Sequence, residues 1–151
     1  MTTSALVRAA WNTKIWTNAT ITALTAKIYD YDITTNSTKE TAKFYHNQEI
    51  NFITYLVNRT QRIRLMNQIE QRFSVEIRAY KKADTDGVNY NALITQFETI
   101  DALVISQLTT TWNSTMDYYT IQDSPPEISQ ITLEGIPVWL GKYTYTGIKN
   151  I

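Results

Sequence analysis

The stretch RIRLMNQIEQRFSVEIRAY, residues 62–80, decides the fold. Ile63, Leu65, Ile69, Phe73, Val75 and Ile77 fall at odd positions, and Arg62, Arg64, Glu70, Arg72, Ser74, Glu76 and Arg78 at even ones. A period of two is what an extended chain with one buried side requires. On that parity the arginines share one face. An unbroken strand of this length would run about 60 Å at ~3.3 Å per residue, far beyond the usual strand of a small domain. The stretch must therefore bend, break or project. Asn67-Gln68 and Gln71 are its weakest points, which predicts a basic hairpin around 58–72 reaching away from the body, with residues 72–80 as the packed strand.

Charge divides the chain near the same place. Residues 59–82 carry seven of the fourteen cations against two acids, whereas residues 83–141 carry eight acids and no Lys or Arg, for a net charge of zero. Opposite charge segregated in this way suits contact with another copy of the chain or with an acidic polymer.

Upstream of the basic stretch, Ile50, Phe52, Ile53, Tyr55, Leu56 and Val57 are apolar on both faces, which places a strand over residues 49–58 at the centre of a sheet. Ser4 is placed to cap a first helix carrying Leu6, Val7, Ala10, Trp11 and Ile15, interrupted at Thr17-Asn18. A second short turn through Ile21 and Leu24 follows, then alternation over residues 27–33 and a polar loop over 34–43. Downstream, Asp84-Thr85-Asp86-Gly87 reads as a turn, with Asn89 or Asn91 as the cap of the strongest helix. That helix covers about 89–112, with Tyr90, Leu93, Ile94, Phe97, Ile100, Val104, Leu108 and Trp112 at intervals of three and four. After Ser124-Pro125-Pro126, strands over about 128–134 and 136–146 turn near Glu134-Gly135. The whole predicts one α+β domain over residues 1–151: a mainly antiparallel sheet, the long amphipathic helix packed across it, and the N-terminal helix alongside.

Several chemistries find no support. The chain has no cysteine, no apolar run near the ~20 residues of a membrane helix, and no basic-then-apolar start, so a soluble cytoplasmic protein without disulfides is expected. Its one histidine, His46, has no partner motif, and Gly87, Gly135, Gly141 and Gly147 assemble no phosphate or dinucleotide loop. Asp30/Asp32 and Asp84/Asp86 are spaced to share a cation on a strand, yet the second pair departs from a calcium loop at Val88 and Asn89. No enzyme constellation, metal site or cofactor site is expected.

Three readings of the arginines stay open: a solvated strand face, a contact with the acidic surface of a neighbouring copy, and a nucleic-acid surface. The second is preferred, because a head-to-tail interface needs two different, mutually attractive patches on one chain. Its candidate residues are Arg59, Arg62, Arg64, Arg72 and Arg78 on one side, and Glu98, Asp101, Asp117 and Asp123 on the other. The neutral total and the interleaved Glu70 and Glu76 weigh against nucleic acid.

The succession of helix, short turn, extended arm, long hairpin, long helix and terminal hairpin resembles the tail terminator or tail-completion proteins of long-tailed bacteriophages. The resemblance spans nearly the whole chain and is carried by residues 21–30 after the first helix, and by Phe73 to Tyr80 leading through the Asp84 turn into the helix of Leu93 to Leu108. It implies a structural virion protein of the neck and tail region, assembled in the host cytoplasm. Such a protein forms a ring, commonly of six, that caps the finished tail tube and joins it to the head connector during head-tail joining. Its partners would be its own copies, the tail tube protein and the connector, with a passing contact with DNA. Another head-tail connector, or a neck or head-completion subunit, fits the same material. A small nucleic-acid-binding protein using the arginine strand is the alternative from another class.

Overall fold

A computed structural model of the chain describes residues 2–25, 27–30, 50–107, 116–120, 124–133 and 135–150. The expectations for residues 31–49, including His46 and Asp32, for the helix beyond Gln107 and for Asp123 and Glu134 fall outside these residues.

Thr3, rather than Ser4, caps the first helix, because its hydroxyl accepts from Leu6 N at 3.3 Å. This helix, α1 (Ser4–Lys14), buries Val7, Ala10 and Trp11. Asn18 then caps α2 (Ala19–Leu24) by accepting from Thr20 N at 2.9 Å. A short strand β1 (Lys27–Asp30) precedes the long hairpin of β2 (Asn51–Leu65) and β3 (Gln68–Lys82). Helix α3 (Val88–Gln107) begins where Asp84 Oδ2 accepts from Asn89 N at 2.8 Å, so the turn aspartate caps it and neither asparagine does. Gly87 in that turn has φ +76°, a conformation that a side chain would strain. The chain ends with β4 (Tyr118–Tyr119), β5 (Glu127–Leu133) and β6 (Ile136–Asn150).

The sheet runs β1-β2-β3-β6-β4, with β5 also pairing β6, and every pair is antiparallel except β1 with β2. The fold is α+β, with the long helix packed against the sheet. The central strand is β3; the strand expected at the centre, β2, lies one place outward. Apolarity on both faces of residues 50–57 has another cause. Ile53, Tyr55 and Val57 join the main core under the helices, while Ile50 and Phe52 join a second cluster with Tyr80 and Val138. Phe52 and Tyr80, opposite one another in the ladder, stack at 4.6 Å.

The main core brings the helices onto the inward residues of β2, β3 and β6. Trp11 lies at its middle, 5.6 Å from Trp16 and 5.8 Å from both Tyr119 and Tyr145, and donates through Nε1 to Tyr119 Oη at 3.0 Å. Helix α3 sets Leu93, Phe97, Ile100 and Val104 into the same core. It comes so close to β6 at Gly141 that a Cβ there would stand 2.5 Å from the Phe97 ring. The glycine is what lets helix and strand meet.

Candidate assembly interface

Directly opposed residues of an antiparallel pair point to the same face, so the register decides which arginines are neighbours. The hairpin turns at Met66-Asn67, one residue before the expected Asn67-Gln68, and pairs Leu65 with Gln68. Odd positions on one strand therefore oppose even positions on the other. Arg62 stands opposite Gln71 and Arg64 opposite Ile69, on the face that carries Phe73, Val75 and Ile77. Arg72 and Arg78 lie on the reverse face, with Glu70 and Glu76. The expectation that these arginines share a face is corrected: a two-residue turn inverts the parity that sequence alternation carries across it.

A register shift between Arg59 and Gln61 adds a second inversion. Thr60 is the extra residue of this bulge, and its hydroxyl donates to Arg72 O at 3.3 Å. Arg59 pairs with Phe73, so the bulge brings Arg59, Arg62 and Arg64 onto one face. That face belongs to the helix side of the sheet, but the helical cover ends at Gln71, which is fully buried and donates from Nε2 to Thr2 O at 3.3 Å. Beyond it, residues 58–62, 64 and 66–68 are exposed.

The reverse-face arginines are engaged within their own strand. Arg72 Nε donates to Glu70 Oε1 and Arg78 Nε to Glu76 Oε1, each at 2.6 Å, and Lys142 Nζ lies 3.8 Å from the same Glu76 oxygen. These are partly exposed pairs of modest energy, yet they neutralise the reverse face of β3.

The acidic residues divide as well. Glu98 is exposed on α3. Asp101 accepts from the Tyr145 hydroxyl at 2.9 Å, and burial, reinforced by this carboxylate, holds the Tyr145 phenol well above its ordinary pKa. Asp117 accepts from Lys149 Nζ at 3.0 Å and from Asn150 N at 2.7 Å, and so fastens the end of β6. Of the described acids proposed for an interface, Glu98 is the one presented to solvent; Asp101 and Asp117 hold the fold together.

Beside Glu98 is a cleft of about 380 Å³ between α3 and the start of β5, lined among the described residues by Tyr90, Ile94, Glu98, Pro125, Pro126 and Ile128. Its floor is apolar and its rim acidic. The Ser124-Pro125-Pro126 segment, which the sequence marks only as a breaker, forms one wall.

A buried lysine escaped the sequence reading. Lys81 is 4% exposed and donates from Nζ to Leu24 O and to Asn51 Oδ1, the latter at 2.7 Å; burial lowers its pKa from 10.5 to about 8. Gln96 of α3 also donates to Leu24 O, at 3.1 Å, and to Thr25 Oγ1. The two side chains close the C-terminus of α2 onto the sheet and the long helix. The signal was present in the alternation: position 81 continues the inward series Phe73, Val75, Ile77, Ala79.

Among the described residues no three His, Cys, Asp or Glu side chains gather as a cation site, and Asp84 is occupied in capping α3. No protein-family model matches the chain, and no curated protein matches it.

Proposed function

We propose that this chain is a structural subunit of a tailed bacteriophage that closes into a ring, terminates the tail tube and joins it to the head connector. The observation that carries the reading is the distal hairpin. It extends beyond the helical layer, presents Arg59, Arg62 and Arg64 on one face, and leaves β2 without a strand partner on its outer edge from Leu56 to Leu65 among the described residues. The exposed charges of that face are of one sign, and the opposite sign is exposed at Glu98 on the same chain. The observed order of α1, α2, β1, the β2–β3 hairpin, α3 and the β5–β6 hairpin is the succession on which the phage resemblance rests, and supports the same reading.

Nucleic acid has less support, since Arg72 and Arg78 already hold carboxylates at 2.6 Å and only the other face of the hairpin is left to meet phosphates. Native mass spectrometry across a salt series tests the ring. The expected outcome is one closed oligomer at low ionic strength that gives way to monomer as salt screens the contacts. A chain that stays monomeric at low salt and high concentration contradicts it.

A further inference from the structure

We infer that the hairpin tip of one copy inserts into the cleft beside α3 of the next, with Met66 as the apolar knob and Arg64 set against Glu98. This rests on the ring reading and names the contact that closes it. Met66 is 95% exposed, the most exposed of the large apolar residues among those described. It also has φ +44° at the first position of the two-residue turn, where a type II′ geometry favours glycine. A non-glycine side chain in this conformation is strained. Glycine or asparagine would relieve that strain and remove an apolar group from water, so the local structure gives no reason for methionine. A contact outside the chain does.

The cleft supplies the complement. Its wall of Tyr90, Ile94, Pro125, Pro126 and Ile128 suits a flexible thioether, which packs readily into irregular apolar surfaces. Glu98 on the rim matches the cation two residues before the knob. One chain cannot satisfy its own cleft. Ile128 sits beside Gly141, which pairs with Ala79, and Met66 lies 13 residues from Ala79 along the hairpin, about 40 Å at ~3.3 Å per residue. Knob and cleft are thus different patches at distant points of one subunit, the arrangement that generates a head-to-tail ring.

The absence of native cysteine allows a clean test by disulfide trapping. Met66→Cys chains are mixed with Ile94→Cys chains, and in parallel with Glu98→Cys chains in case the first cleft variant folds poorly, then oxidised at low salt. The expected product is a mixed dimer linking position 66 to 94 or 98, with each variant alone giving little dimer. Met66→Asn should weaken association of the unmodified ring by about tenfold or more, the loss expected from one buried methionine contact. If native mass spectrometry shows the oligomer while position 66 fails to link to either cleft position, or links only to itself, the knob-and-cleft contact is wrong and the ring reading survives. If the chain is monomeric and no cross-link forms, both fall.

Discussion

Residues 51–57 and residues 58–65 belong to one strand, β2, and pair with one partner, β3, yet the two halves of this ladder have different surroundings. The near half carries Ile53, Tyr55 and Val57 against Trp16, Phe73, Val75 and the helices, and Phe52 against Tyr80 on the reverse side. Its contacts are made within the chain. Past the bulge at Thr60, arginines occupy the face that held the core, and Met66, the most exposed large apolar side chain among the described residues, sits at the tip. Backbone pairing alone continues across both halves. The near half lies in the core of the domain, and the far half is largely exposed.

The largest break in the comparison comes from the body. Phe97→Ala should cost about 3–5 kcal/mol, read by chemical denaturation, because the ring is fully buried between α3 and Gly141. Arg64→Glu, in the hairpin, should stay within about 0.5 kcal/mol of the parent in the same assay.

Next in size is the pH response of Lys81. Its folded pKa is lowered, from 10.5 to about 8, so between these values the unfolded chain binds a proton that the folded one has released, and stability rises with pH. The rise is worth up to about 3 kcal/mol. Tyr119 and Tyr145 act in the opposite sense: burial raises both phenols, so their contribution is present below pH 10 and is lost as pH climbs above it. Melting temperature should climb from pH 8 to about 10 and then fall, and Lys81→Met should abolish the climb while retaining the fall. A parent protein with a flat or falling profile from pH 8 to 10 would contradict this account of the α2 junction.

Gly141→Ala should cost about 1–3 kcal/mol by calorimetry, since the new methyl would stand 2.5 Å from the fully buried Phe97 ring. The smallest effect has the opposite sign. Met66→Gly should stabilise the monomer by about 1 kcal/mol, by releasing the positive φ, while weakening self-association. A change that improves the fold and harms the assembly is what separates the two halves most sharply.

Much of this architecture was legible in the sequence. Helix α3 announced itself through Leu93, Phe97, Ile100 and Val104, and the packed strand through Phe73, Val75 and Ile77, because burial periodicity is a local property. What was not legible depended on single-residue events in the backbone. Whether Arg62 and Arg72 share a face is decided by a two-residue turn at Met66-Asn67, and whether Arg59 joins Arg62 by a bulge at Thr60; alternation reads straight through both. Partners distant along the chain were hidden for a related reason. Asp101 and Asp117 looked like surface acids until Tyr145 and Lys149 were brought to them across 44 and 32 residues. Glu98 gained its distant apolar neighbours, Pro125, Pro126 and Ile128, only when that segment folded back beside α3.

The claim that the near half serves the fold and the far half serves a second copy is tested most directly by amide hydrogen exchange as a function of protein concentration at low ionic strength. The account predicts that amides over residues 58–70 become more protected as concentration rises, along with those around Glu98 and Ile128, while residues 52–57 and 73–81 are strongly protected throughout. Protection of the hairpin that is the same at every concentration would contradict it.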